Sequence, residues 1–351
     1  MSEGSVYRRK DGRWCCKWKD ANCRWKYRYR KTKPEAKQAL REALRDRDDN
    51  VITADKLTLT AAMEQWLENM EGAVSHRTWT NRESLVRIHV KSHAVGSIRL
   101  CKLTPEHLRA YYREKLHTLS PATVARLHDV IKKACNEQVR ARSLRHNPTA
   151  DVTPPRTHHS RDMTILTQQQ VKLLLETVRG SRYEVIIVLG ATCALRVGEA
   201  LGLRWEDVDL TAGTISIRHT LWRGKLYAPK TAESRRTLKL PQRALDCLLS
   251  VSNEASEGYL LSTCNGTPVA AENFWRWGWK PALRKAGLDE SLHYHDLRHG
   301  AASLLLNQSV PLPVVSKFLG HADPSVTMKV YAHVMDGTSG IAAQGIDSAL
   351  R

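Results

Sequence analysis

Residues 293–333 read HYHDLRHGAASLLLNQSVPLPVVSKFLGHADPSVTMKVYAH, and this stretch decides the fold and the chemistry of the chain. His295 and Arg298 lie three residues apart, so a helix would present both on one face. Leu-Gly-His (319–321) follows, and ten residues after its histidine comes Tyr331. The stretch therefore predicts short helices that carry two histidines, an arginine and a tyrosine toward a common site.

Two earlier pieces of the chain carry similar chemistry. Ala-Leu-Arg-Val-Gly-Glu-Ala-Leu-Gly-Leu (194–203) places Arg196 in an otherwise apolar stretch that we expect to be helical. An unpaired buried guanidinium is unfavourable, and Glu199, three residues on, is placed to hold it. Ala-Pro-Lys-Thr (228–231) puts Lys230 at a turn between two predicted strands.

Five motifs, taken in order along the chain, resemble those of the tyrosine recombinase family. They are Arg196 with Glu199 three residues later, a hairpin Lys230, H-x-x-R-H (295–299), L-G-H (319–321) and Y-x-H (331–333). The resemblance covers residues 164–351, which it implies to be the catalytic domain. Residues 56–152 resemble the helical core-binding domain of that family. Residues 1–50 resemble the three-stranded arm-binding domain of phage and transposon integrases.

The resemblance and the chemistry of phosphoryl transfer assign the same roles. Transesterification of a phosphodiester builds negative charge on the non-bridging oxygens, which arginine can stabilise with two parallel hydrogen bonds. A phenol can then serve as the nucleophile and form a 3′-phosphotyrosine. The expected catalytic residues are two phosphate-binding arginines, a histidine base, a histidine donor, a lysine acid and the nucleophile, supported by two more: Arg196, Arg298, His295, His321, Lys230, Tyr331, Glu199 and His299.

Alternatives to these assignments remain at this point. Arg196 could be only an ion pair with Glu199, and Lys225 or Lys239 could replace Lys230 as the acid. His295 and His299 are also spaced as H-x-x-x-H, which can bind a metal if His293 or His321 completes the set. We expect no metal and no other cofactor, because the arginines supply the positive charge and Arg298 would repel a cation.

Composition narrows the class of partner. The chain has 55 Lys and Arg against 36 Asp and Glu, a formal charge of +19, which favours a polyanionic partner such as DNA. Its eight cysteines form no C-x-x-C pair, so we expect reduced thiols and no structural zinc. We find neither a signal peptide nor an apolar run of about 20 residues, which predicts a cytoplasmic, nucleoid-associated protein of a bacterial host with no membrane segment.

The N-terminal segment predicts a small DNA-binding sheet. Residues 8–33 contain twelve Lys or Arg against two Asp, and within residues 23–31 the basic and aromatic side chains alternate strictly from Arg24 to Arg30. We expect three strands packed on a helix that begins near Thr32, with the aromatic face inward and the basic face outward. The expected DNA-binding residues are Arg24, Lys26, Arg28 and Arg30.

The remaining segments are mainly helical by period. Residues 59–70, 75–89, 104–117 and 120–142 predict a helical bundle, and residues 151–163 predict a linker. In the third segment, strands near 214–219, 226–228 and 236–240 are expected to form one small sheet among helices. The fold class is thus multidomain α+β: a three-stranded sheet with one helix, a helical bundle, and a mostly helical catalytic domain with a small antiparallel sheet.

These features predict a site-specific recombinase that acts on double-stranded DNA at core and arm sites. The family resemblance implies a homotetramer and a Holliday junction, with a host DNA-bending protein or an excision factor as candidate partners. Three other functions stay open: a chromosome-resolving recombinase of the Xer type, a type IB topoisomerase, and a non-catalytic DNA-binding regulator with the same fold. The N-terminal segment argues against the Xer type, whose members resemble only the second and third segments.

Overall fold

The structure is a computed structural model that describes residues 4–19, 24–48, 57–156, 165–229, 234–252, 257–321, 323–331 and 350. The chain divides into two compact units, residues 1–160 and 161–351. Within the described residues, every helix is too short or too polar to cross a bilayer.

The first unit begins with a three-stranded antiparallel sheet in the order β1-β2-β3. The strands are β1 (Gly4–Arg8), β2 (Trp14–Lys19) and β3 (Trp25–Arg30). Helix α1 (Lys33–Asp48) follows, and the Thr32 hydroxyl accepts the backbone N–H of Glu35 at 3.4 Å, which caps the helix at its predicted start.

The prediction that the aromatic face of this sheet packs on the helix and the basic face points outward is wrong. Cys16 and Trp18 of the central strand pack against α1, and the strand register pairs them with Arg28 and Lys26. Paired residues point to the same side of a sheet, so the basic residues of β3 lie on the helix side. The aromatic residues of β3 are on the open side and are 42–48% exposed: Trp25, Tyr27 and Tyr29.

The helical bundle confirms all four predicted helices. It consists of α2 (Leu59–Asn69), α3 (His76–Leu85) continued by a π-helical turn (Val86–Lys91), α4 (Pro105–Lys115) and α5 (Pro121–Arg140), with short 3-10 turns at Ala94–Ser97 and Leu100–Lys102. The hydroxyls of Thr58, Ser75, Thr104 and Ser120 cap the four α-helices at their N-termini. Their apolar faces form one core that is separate from the core of the sheet.

The second unit is mostly helical, as predicted. Its helices are α6 (Gln168–Thr177), α7 (Glu184–Thr192), α8 (Val197–Leu201), a 3-10 turn (Trp205–Asp207), α9 (Gln242–Val251), α10 (Ala271–Phe274), a π-helical turn (Trp275–Trp279), α11 (Lys280–Lys285), α12 (Tyr294–Asn307), α13 (Leu312–Leu319) and α14 (Pro324–Tyr331). Helix α7 is buried along its length, and the Tyr294 hydroxyl donates to the Ile186 carbonyl at 2.7 Å, which fixes α12 against it.

The strands of this unit differ from the prediction in one respect. Strands β4 (Val208–Asp209), β5 (Thr214–Ile217) and β8 (Arg236–Lys239) form an antiparallel sheet in the order β4-β5-β8. Strands β6 (Thr220–Trp222) and β7 (Lys225–Tyr227) form a separate hairpin. The strand predicted near 226–228 therefore pairs with β6, which the sequence analysis did not predict, and not with the sheet of β5 and β8.

Candidate active site

Arg298 is the centre of the site. It lies on α12 and is only 2% exposed. Its Nη1 donates to the Ala194 carbonyl at 2.7 Å, and its Nη2 donates to the Leu319 carbonyl. These acceptors precede Arg196 and His321 by two residues each. One guanidinium therefore ties together the two distant segments that carry the other predicted phosphate ligands.

Arg196 stands at the N-terminus of α8 rather than inside a helix. Its backbone is extended, and its N–H donates to Glu199 Oε2 at 3.1 Å, so the predicted helical position is corrected to an N-cap. Its Nη1 donates to Glu199 Oε1 at 2.6 Å, which confirms the predicted pair. The Arg196 side chain remains 38% exposed and is available to a ligand. Ala194, just before it, has a positive φ of 53°, which costs an L-residue strain of the kind found at functional sites.

Arg236 is a functional residue that sequence reasoning missed. Its side chain is 6% exposed, and its Nη2 lies 3.2 Å from Glu199 Oε2 while its Nε donates to the Phe318 carbonyl at 3.0 Å. Glu199 is thus held between Arg196 and Arg236. Burial alone would raise the pKa of the Glu199 carboxyl, but the two arginines and their hydrogen bonds hold that pKa below its usual value.

The signal for Arg236 was present but incomplete. It lies two residues before Leu238 on a strand, so both share the inward face. An arginine in that position needs buried partners, yet those partners are 37 and 82 residues away in the chain. Gly320 is part of the same arrangement: its φ is +67°, and a Cβ there would come within 2.8 Å of Arg236 Nη1.

His295 and His299 lie one turn apart on α12, with ring centroids 4.7 Å apart. Desolvation by the surrounding protein, then the charges of His299, Arg298 and Arg196, lower the pKa of His295 to about 4. Burial also lowers the pKa of His299. His295 nevertheless keeps part of its surface exposed, so a neutral imidazole faces solvent beside the two arginines.

His321 directly follows Gly320 at the end of α13. Its backbone N–H donates to the Ser316 carbonyl at 3.1 Å, and its Nδ1 lies 2.8 Å from the hydroxyl oxygen of Thr327. Burial, then the charges of Arg298 and Arg196, lower the pKa of His321 to about 4. Both arginines therefore act on both histidines, which places these four residues in one site.

Two predicted residues are described incompletely. Lys230 lies outside the described residues. Tyr331 is the last residue of α14, which begins three residues after His321, and its backbone is described but its side chain is not. Among the described residues, no three His, Cys, Asp or Glu side chains are grouped so that they could hold a metal ion.

The open face of the N-terminal sheet is a second candidate surface. Cations stand over its exposed rings: Lys17 Nζ is 4.2 Å from the Trp25 ring centroid, and the guanidinium of Arg9 is 4.9 Å from that of Tyr29. On the opposite face, the Arg28 guanidinium lies 5.3 Å from the Trp18 ring centroid. The open face is thus a mixed aromatic and basic surface.

Comparison with known proteins identifies the family of the chain. The chain belongs to the Phage integrase family, whose sequence model matches residues 164–337, and the Phage integrase N-terminal SAM-like domain matches residues 58–117. An integrase of Streptomyces ambofaciens is 28% identical over 325 residues, covering 86% of this chain and 83% of the relative. A XerC-like tyrosine recombinase of Caldanaerobacter subterraneus is 25% identical over 344 residues, covering 88% and 87%.

Solved structures share the fold. The Tn1549 transposon integrase in complex with transposon right end DNA superposes with a TM-score of 0.71 at 21% identity, covering 84% of this chain and 100% of that one. A lambda integrase dimer bound to a core site has a TM-score of 0.62 at 15% identity, covering 93% of each chain. The predicted fold class and the assignment to the tyrosine site-specific recombinases are confirmed.

Proposed function

We propose that this recombinase cleaves and rejoins DNA through a 3′-phosphotyrosine on Tyr331 and a Holliday junction, and so integrates or excises a mobile element. The observation that carries the proposal is the placement of Arg298. It binds the segments before Arg196 and before His321, so that two cations and two neutral histidines share one site.

In the cleavage step, the phenolic oxygen of Tyr331 attacks phosphorus while the bond from phosphorus to the 5′-oxygen breaks. Arg196 and Arg298 stabilise the charge that develops on the non-bridging oxygens. Their orientation is fixed before DNA arrives, by Glu199 in one case and by two carbonyls in the other. Such preorganised donors need no rearrangement during the reaction.

Proton transfer completes the step. A base must be unprotonated to accept the tyrosine proton, and a pKa of about 4 keeps His295 neutral at physiological pH. His321, also neutral, donates one hydrogen bond to a phosphate oxygen. Lys230 gives its proton to the leaving 5′-oxygen. The covalent bond retains the energy of the phosphodiester, so a second DNA 5′-hydroxyl can attack it without ATP.

The DNA surface extends beyond the catalytic residues. The open face of the N-terminal sheet combines exposed rings with Lys17, Lys19, Arg9 and Arg13, and a sheet of this width fits a major groove. We assign arm-site contact to this face. Lys26, Arg28 and Arg30 lie toward the helix side along edge strand β3, and Arg24 directly precedes that strand. We assign these four basic residues to contacts with backbone phosphates.

The proposed assembly is a homotetramer on two duplexes, with core-binding by residues 56–152 and catalysis by residues 164–351. Its support is that lambda integrase has been solved as a tetramer bound to a Holliday junction. A host DNA-bending protein or an excision factor would set the direction of recombination. Nucleoid association in a bacterial cytoplasm follows from the same DNA-binding role.

A nicked suicide substrate that carries the element's own attachment site tests the proposal. Loss of the short fragment after cleavage should trap a covalent protein–DNA complex without magnesium or ATP. Tyr331→Phe should abolish the complex, because it removes only the nucleophilic oxygen, whereas Tyr259→Phe in the same unit should form it normally. A complex that still forms with Tyr331→Phe would refute the assigned nucleophile, and none with the wild type would favour the non-catalytic regulator.

An Xer-type function is the second candidate, because relatives include proteins named XerC-like and XerC. The two functions differ in the use of the N-terminal sheet. An integrase should lose complete recombination but keep core-site cleavage when the open face is altered by Lys17→Ala and Tyr27→Ala together. Full recombination by that variant would favour the Xer type.

A further inference from the structure

Thr327 is a buried threonine that contacts the site but has no place in the chemistry described so far. It is 0% exposed and lies on α14, with its hydroxyl oxygen 2.8 Å from His321 Nδ1. It precedes Tyr331 by four residues, so the two share one face of the helix. The Thr327 hydroxyl thus connects His321 to the helix that carries the nucleophile.

The direction of this hydrogen bond decides what His321 can do. A neutral imidazole carries one proton, so the nitrogen that accepts a hydrogen bond leaves the other nitrogen as the donor. If Thr327 donates to Nδ1, the proton lies on Nε2, which can donate to a phosphate oxygen. If Nδ1 donates to Thr327 instead, Nε2 presents a lone pair, which repels the phosphate.

The charges around His321 reduce the possibilities to these two arrangements. Arg298, Arg196 and Arg236 all act to keep the imidazole neutral, so its single proton cannot serve both nitrogens. A helical threonine can also rotate its hydroxyl to the carbonyl four residues earlier, and that alternative would leave Thr327 as an acceptor from Nδ1.

We propose that Thr327 is a positioning residue that donates to His321 Nδ1 and thereby fixes the Nε2–H tautomer required to bind the scissile phosphate. This proposal rests on the proposed function only in the role of His321. The hydrogen bond also sets the distance between His321 and α14, so the donor and the nucleophile move together.

Nitrogen-15 NMR of the full-length protein, labelled at its 15 histidines, tests the tautomer without DNA. His321→Asn identifies the His321 signals by their loss. In the wild type and in Thr327→Ser, Nδ1 should show the shift of an unprotonated nitrogen and Nε2 that of a protonated one. In Thr327→Val, which removes the hydroxyl at nearly constant volume, the two shifts should move toward a mixture of tautomers.

Covalent-complex formation on the suicide substrate gives the second readout. Thr327→Val should slow it roughly 3- to 10-fold, the effect of about one net hydrogen bond, and Thr327→Ser should restore most of the rate. Thr177→Val is the matched control, because its hydroxyl donates to the Leu173 carbonyl on an exposed face of α6. It should cleave at the wild-type rate.

Two results would overturn the proposal: an Nδ1–H tautomer in the wild type, or a Thr327→Val variant with unchanged tautomer and rate. If Thr327→Val does not fold, the wild-type and Thr327→Ser spectra still decide the tautomer. Failure of the wild type to form a covalent complex would instead count against the proposed function, and the NMR result would stand separately.

Discussion

Replacing Arg236 by Met tests whether a buried arginine assembles the active site. The side chain is 6% exposed and holds Glu199 and the Phe318 carbonyl. Met fills similar space but leaves the carbonyl without this donor and the carboxylate with one fewer positive neighbour. Breaking a buried ion pair costs about 3–5 kcal/mol. Since Glu199 keeps Arg196, we expect the lower end, about 3 kcal/mol.

Differential scanning calorimetry measures the consequence for stability. For a unit of the size of residues 161–351, each kcal/mol lowers Tm by about 2–4 °C, so Arg236→Met should lower the Tm of that unit by about 6–12 °C. Arg243→Met is the control: it removes a salt bridge to Glu176 whose side chains are 44% and 55% exposed, and such exposed pairs contribute about 0–1 kcal/mol.

The same variant should also lose activity below its melting temperature. Without Arg236, Glu199 and the segment before His321 are less constrained, so the rate of covalent-complex formation should fall at least about 10-fold at 20 °C below Tm. A Tm change no larger than that of Arg243→Met would refute the reasoning. So would a destabilised variant that cleaves at the wild-type rate.

Three further predictions follow from the same site and surface. Arg298→Lys keeps the charge but cannot reach both carbonyl acceptors, so cleavage in the suicide assay should fall about 10²- to 10³-fold. A gel-shift assay should show DNA binding little changed. Near-normal cleavage would contradict the role of Arg298. The folded-state pKa of His295 is about 4, below its unfolded value near 6.5, so the unfolded state binds more protons between these two pH values and the free energy of unfolding should fall as the pH drops through that window. His295→Gln should flatten this pH dependence in urea titrations. An unchanged slope would count against the lowered pKa. Lys17→Ala on the open sheet face should weaken arm-site binding and lower the salt dependence of log Kd by about 1, whereas Arg41→Ala on the outer surface of α1 should do neither, and equal effects would exclude that face.

Much of the fold follows from local periodicity. The four helices of the bundle and α6 of the second unit begin at Thr or Ser caps, signals that lie within a few residues of the helix itself. Glu199 was likewise identified from its spacing to Arg196, because the pair is formed within one helical turn. Information that is local in sequence was sufficient in these cases.

The prediction of which face of the N-terminal sheet packs on α1 was wrong for a different reason. Strand β3 alternates aromatic and basic residues, and either set can face a helix, so its own pattern does not decide the core. The central strand decides it: Trp14, Cys16 and Trp18 are more apolar than the intervening Cys15, Lys17 and Lys19. Register then assigns Arg28 to the helix side. The pairing between strands, and not the pattern within one strand, determines which residues lie on the helix side.

Arg236 and Thr327 were missed because their roles depend on contacts between different helices and strands, which form only when those elements pack together. Arg236 meets Glu199 and Phe318 only after β8, α8 and α13 have packed together. Thr327 contacts His321 across the turn between α13 and α14. The motif residues can be recognised by type and order, whereas the residues that hold them require the tertiary structure.

Peptide mass spectrometry of the trapped DNA adduct tests the central claim most directly. Trypsin cuts after Lys329, and the next basic residue is Arg351, so residues 330–351 form one peptide whose sole tyrosine is Tyr331. After nuclease digestion, fragmentation should locate a nucleotide 3′-phosphate on that tyrosine, and Arg298→Lys should reduce the yield of the modified peptide. A nucleotide on any other residue would show that the arginines and histidines assembled around Arg298 do not serve the nucleophile proposed for them.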